Sequence, residues 1–138
     1  MAWYRGEQAA GGDVVLARLT PSNALPFDVV VQGAKVLGRF APDEGVTRPD
    51  LASDAQRTIV VWRTTSAAGD HDIVGSSIDR AGNVAHFGIA ASAADERDPS
   101  VISLANGSFL VAYETVSGGE RRLAARFLTF AGRRRAVR

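Results

Sequence analysis

The chain is 138 residues long, enough for one ordinary domain and short for two. Apolar residues make up 46% and charged residues 22%, the balance of a folded globular protein rather than a disordered one. A net charge of +1 gives no global attraction to nucleic acid or membrane, the lack of cysteine excludes disulfides and thiolate metal sites, and no apolar run reaches the roughly 18 residues of a spanning helix.

In chain order, residues 1–12, MAWYRGEQAAGG, lack the charged and apolar regions of a signal peptide. Residues 13–23, DVVLARLTPSN, form a strand-like run. It matches DIVGSSIDRAG at 72–82 at a spacing of 59, the same spacing that separates Trp3 from Trp62. A stretch with no counterpart follows, around 24–46. Thr58-Ile59-Val60-Val61-Trp62 is a continuous apolar run rich in β-branched residues, as suits a strand buried on both faces. Ala81-Gly82-Asn83 reads as a hairpin turn. Residues 90–95 are Ala-rich but too short and Ser-broken for a helix.

The pattern then recurs. Pro49 matches Pro99 and Gly82 matches Gly132, both at a spacing of 50, while Trp62 matches Tyr113 at 51. The slip is one extra residue in the turn SLANGSF relative to SDAQRT, compensated in the next loop. Phe109-Leu110-Val111-Ala112-Tyr113 repeats the apolar run behind an Asn106-Gly107 turn whose two residues both accept positive φ. Trp3, Trp62 and Tyr113 are therefore expected at equivalent places on the second strand of successive sheets.

Four strands in about fifty residues are the mark of a propeller blade. The fold expected is all-β, with consecutive four-stranded β-propeller blades, about three, the terminal ones incomplete. The competing reading is a β-sandwich whose halves are alike by accident. The whole chain, 1–138, is then a single repeat domain. Residues 1–46 make a partial blade with an insert, 47–97 a complete blade, and 98–138 a blade truncated in its last strand. Met1 and Arg138 both align inside strands, so the chain reads as a fragment of a larger ring, closed by remaining blades of a parent chain or by self-association. Its terminal sheets are expected to expose core residues, among them Phe109, Val111, Phe127 and Leu128.

The stretches TIVVWRTT, DHDIVGSSIDRAGNV and DPSVISLANGSFLVAYE resemble propeller-like repeats in large secreted bacterial surface proteins of the myxobacterial type. The resemblance covers roughly 42–132 well and 1–23 more loosely. It departs at Arg121-Arg122-Leu123, where the family tends to place an acidic residue, and in the insert at 24–46. It implies an extracellular or cell-surface setting and says almost nothing of a ligand.

Candidate chemistry is thin. Loops ahead of two blades carry Asp43 and Glu44 before Arg48, and Asp95, Glu96 and Arg97 before Pro99. Carboxylates there could hold a cation, grip sugar hydroxyls or act as an acid/base pair, and the plainer reading is a solvated polar turn with a local Arg pair. Asp70-His71-Asp72 is a possible metal or base site, but alternation along a strand sends residue 71 away from the other two. His86, beside Phe87, reads as structural. Arg133-Arg134-Arg135 lacks the interleaved aromatics of a nucleic-acid platform. No nucleophile triad, nucleotide loop or metal spacing is present, so no metal or cofactor is called for. The reading is a non-catalytic extracellular recognition module for a glycan or a protein, with part of a carbohydrate-active propeller enzyme as its alternative.

Overall fold

A computed structural model describes residues 2–7, 11–21, 29–40 and 48–130, with side chains for 13–17, 35–38 and 48–130. It is all-β: ten strands in three antiparallel sheets, with no helix among the described residues. The first sheet joins β1 (Ala2–Glu7), β2 (Gly11–Pro21) and β3 (Val29–Phe40) in that order. The second joins β4 (Asp50–Ser53), β5 (Arg57–Thr65), β6 (His71–Asp79) and β7 (Val84–Ala90). The third joins β8 (Asp95–Ser103), β9 (Phe109–Ser117) and β10 (Glu120–Leu128).

The repeat is visible in the register. Trp3 pairs with Val15, Trp62 with Val74 and Tyr113 with Ala124, so all three aromatics hold the same place on equivalent strands. A β-bulge also recurs. Val14 pairs with Gly38 and Val15 with Val36, which leaves Leu37 between them, and Ile73 and Val74 leave Ile89 unpaired in the same way. Both bulged residues are buried. The 59-residue spacing of Val14 and Ile73 shrinks to 52 for Leu37 and Ile89, so most of the inserted length lies between Val14 and Leu37, in the longer strands β2 and β3 and the segment that joins them.

Alternation along β5 explains the stacking. Val60 and Trp62 pack with Val14 and Leu37 of the first sheet. Ile59 and Val61 pack with Val101, Phe109, Val111 and Tyr113 of the third. The second sheet is thus apolar on both faces and lies between the other two. Phe130 seals one end of the second core, edge-on to Phe87 and Phe109 with the Arg57 guanidinium 4.3 Å from its ring centre.

Polar ties pin the sheets to one another. One Asp50 carboxylate oxygen accepts bonds from the Ser100 hydroxyl at 2.9 Å and the Val101 N–H at 2.8 Å. Lys35, the only lysine, donates from Nζ to the Gly82 carbonyl at 2.5 Å. That carbonyl belongs to the β6–β7 turn, where Gly82 takes φ 86° and the Asp79 carboxylate accepts from Asn83.

The Asn106-Gly107 hairpin turn forms between β8 and β9, with Gly107 at positive φ and Asn106 accepting the Ser108 N–H and hydroxyl on its side-chain oxygen. Two expectations need correction. Phe109 and Val111 are buried against the second sheet and Leu128 is half-buried, while Phe127 is exposed as expected, with Ile102 and Leu123 the other exposed large apolar residues of the third sheet. Asp95, Glu96 and Arg97 do not form a loop: they pair with β9 and open strand β8. Gly132, the counterpart of Gly82, lies outside the described residues.

Trp62 is 3% exposed, and a Cβ on Gly38 would stand 2.6 Å from its ring. Trp62→Ala should therefore cost about 3–5 kcal/mol, as large aromatic deletions in cores do. Denaturant titration of the variant checks this, and a midpoint near that of the wild type would contradict the packing.

Candidate functional site

Among the described residues, a linked set of titratable groups lies where β6 and β8 begin. The turn before β6 is closed by the Ser66 N–H on the Asp70 carbonyl at 2.8 Å, with Gly69 at φ 90°. The Ser66 hydroxyl is also bonded to the Asp70 carboxylate. This turn sets His71 at the head of β6, opposite Thr65. From there His71 Nδ1 meets one oxygen of Asp95, and the other oxygen of Asp95 accepts from Arg97 Nε at 2.8 Å and from the same guanidinium's terminal nitrogen.

A bulge makes this possible. Arg97 pairs with Glu114 and Ser100 with Ala112, so Asp98 and Pro99 bulge from an edge strand that tolerates a proline. Asp98 takes φ 48°, a left-handed conformation that Asp accepts better than most residues. Ahead of this kink, Asp95–Arg97 form an extension of β8 that the four-residue β4 lacks.

The electrostatics follow the contacts. Burial would raise the Asp95 carboxyl, but hydrogen bonds from Arg97 and His71 and their positive charges outweigh it and hold Asp95 below the ordinary carboxylate range. Asp95 in turn raises Arg97. Asp72 moves the other way, raised by burial and by the nearby Asp70 and only partly offset by His71. Asp70, His71 and Asp72 do not converge: His71 leaves its neighbours for Asp95 of the next sheet.

Glu96, between two members of this chain in sequence, points away from them. It is 1% exposed, with one oxygen accepting from the Ser92 hydroxyl at 2.5 Å and the other without a hydrogen-bond partner. Arg48 is exposed on the irregular segment ahead of β4. Asp43, Glu44 and Arg133–Arg135 lie outside the described residues. Among the described residues no three His, Cys, Asp or Glu side chains form a metal-binding group.

A shallow cleft of about 480 Å³ lies beside the junction of the first two sheets, walled by Leu37, Trp62, Val74 and Phe87 with Thr64 and His86 as its polar groups. His86 Nδ1 lies 2.7 Å from the Ser76 hydroxyl. Ser76 is fully buried, so the pair orients the imidazole and offers no accessible nucleophile. No local sequence signal marks this cleft, since its walls come from the adjacent strands β5, β6 and β7 together with Leu37 of the first sheet.

No protein family, curated protein or solved structure matches the chain.

The lowered Asp95 contributes stability that is complete above the unfolded carboxylate value of 3.8 and is lost as pH falls through the lower folded value. Asp95→Asn should therefore unfold more easily than the wild type at neutral pH, with the gap closing below the ordinary carboxylate range. Thermal midpoints of both proteins across pH check this. Glu96→Met, which keeps the volume and removes an unpartnered oxygen, should raise stability by about 1 kcal/mol. Chemical denaturation reads it, and a loss of similar size would mean that the oxygen has a partner in solution.

Proposed function

We propose that the chain is a non-catalytic repeat module, a set of consecutive β-propeller blades that serves recognition or scaffolding at a bacterial surface. The single observation that carries the non-catalytic half is the pairing of Asp95. Its two oxygens are taken up by His71 and Arg97, so the best-placed carboxylate links two sheets instead of facing a substrate. A glycosidase needs two carboxyl groups about 5–10 Å apart on either side of a scissile bond. Here Glu96 turns away from Asp95 and is buried.

The propeller half is supported by four antiparallel strands in sequence order, by face-to-face stacking of equivalent sheets, and by the adjacency of β4 and β8, which Asp50 ties together. The extracellular setting rests on the resemblance to secreted bacterial surface repeats. The ligand class we propose for such a module is a glycan or a protein.

Reducing-sugar release from a panel of polysaccharides, with affinity electrophoresis on the same panel, tests the reading. Retardation without release is expected. Release that Asp95→Asn or Glu96→Gln abolishes would establish the carbohydrate-active alternative.

A further inference from the structure

Among the described residues, Asp98 is the only one other than glycine with a positive φ, at 48°, and the residue after it is Pro99. The ring of a proline crowds the residue before it and drives that residue toward extended backbone, so a left-handed residue there is strained twice over. The contacts on either side give the chain no slack to relieve the strain. Asp95 is tied to His71 and Arg97, while Ser100 and Val101 are tied to Asp50. Pro99 is buried and Asp98 exposed. Asp50, Asp54, Asp79 and Asp95 all accept hydrogen bonds on their carboxylates, whereas that of Asp98 accepts none among the described residues. In the preceding copy of the repeat Pro99 corresponds to Pro49, and the residue before it is Arg48, which has neither a carboxyl group nor a positive φ.

We propose that the Asp98–Pro99 peptide bond is a self-cleavage site, at which the folded chain cuts itself into residues 1–98 and 99–138. An oxygen of the Asp98 side-chain carboxyl group attacks the Asp98 carbonyl carbon and closes a cyclic anhydride. The C–N bond to Pro99 breaks, its electron pair stays on the prolyl nitrogen, and the carboxyl proton moves to that nitrogen. Water then opens the anhydride, leaving a free Asp98 terminus and a secondary amine at Pro99. Strain that is present in the intact bond and released as it breaks lowers the barrier. The acid form of the side chain carries both nucleophile and proton, so acid favours the reaction. The charges about the kink are Arg97 beside it, Glu114 opposite on β9 with Arg121 of β10 3.2 Å from it, His71 of β6 on Asp95, and the committed Asp50 of β4. Asp95, held below the ordinary carboxylate range, stays charged in mild acid and keeps the kink in place. After the cut, residues 95–97 and 100–103 both remain paired with β9, so the two pieces stay within one fold. The inference is independent of the recognition reading.

The full chain is held at about pH 5 and about pH 8, where circular dichroism follows the fold, and sampled by denaturing electrophoresis and mass spectrometry. Two fragments should accumulate, faster at the lower pH, the smaller one beginning at Pro99, while native gel filtration still gives a single species. Asp98→Asn and Asp98→Gly, which both suit the left-handed conformation, should stay intact. Arg48→Asp places a second Asp–Pro bond at the equivalent, relaxed position, and that bond should break at least about tenfold more slowly than Asp98–Pro99. Urea, which frees the Asp98 backbone, should slow the cut at Asp98–Pro99 to that lower rate. An intact wild-type chain at both pH values overturns the inference. So does scission that persists in Asp98→Gly, and so do equal rates at the two Asp–Pro bonds, which would reduce the cut to the ordinary lability of the dipeptide. Polysaccharide retardation and release are read separately, so failure here is distinguishable from failure of the recognition reading.

Discussion

The structure depends on one strand that has no solvent side. Successive residues of a β-strand point to opposite faces, so a half-buried strand alternates apolar with polar. Strand β5 does not alternate: Ile59 and Val61 enter one core while Val60 and Trp62 enter the other. A sheet built around such a strand is stable only with a second sheet on each side. The strand therefore dictates the order of the stack before any loop or polar contact is considered. The bulged residues serve the same end. Leu37 and Ile89 each leave the ladder at the same step and are buried on the side of the following sheet.

Polar groups then align what the apolar faces only hold together. Apolar contact is non-directional and leaves two stacked sheets free to slide. The Asp50 carboxylate removes that freedom by accepting a backbone N–H and a hydroxyl from β8, and Lys35 does so at the other interface through the Gly82 carbonyl. The His71–Asp95–Arg97 chain is a third tie of this type, linking β6 to β8. Seen beside the other two, it belongs with the alignment of sheets, which is the physical reason the candidate carboxylate lacks the free oxygens that ligand binding requires.

Much of the architecture was legible because it rests on local chemistry that repeats. The apolar runs ending in Trp62 and Tyr113, the Gly82 turn and the extra residue near Asn106 each mark a strand or a hairpin without reference to the rest of the chain. The candidate site was less legible. Asp95-Glu96-Arg97-Asp98-Pro99 has the composition of a polar turn, and only the free edge of β9 turns it into a strand. No local signal announces that pairing, because the partner is nearly twenty residues away. The link from His71 to Asp95 is further still, and it crosses between sheets. The face that a residue takes was also misjudged at Phe109 and Val111, where the apolar run alone does not say which alternate residues turn inward.

That last ambiguity is resolved by the repeat itself, and it bears on what the third sheet is for. Once Tyr113 is set level with Trp62, the parity of β9 is settled: Val111 and Tyr113 face the second sheet, while Leu110 and Ala112 face outward. On β10 the outward set is then Arg121, Leu123, Ala125 and Phe127, and the inward set is Arg122, Ala124, Arg126 and Leu128, of which Ala124 and Leu128 pack against the core. A strand that closed a stack toward water would keep its apolar residues on the inner side and its charges on the outer, since water solvates the charges at no cost and gains nothing from the apolar side chains. Strand β10 departs from that arrangement on both sides, with Arg122 and Arg126 beside the core-packed Ala124 and Leu128, and with Leu123 and Phe127 exposed beside Arg121. Its outward face thus keeps two large apolar side chains, Leu123 and Phe127, in positions that the first two sheets use toward a neighbouring sheet.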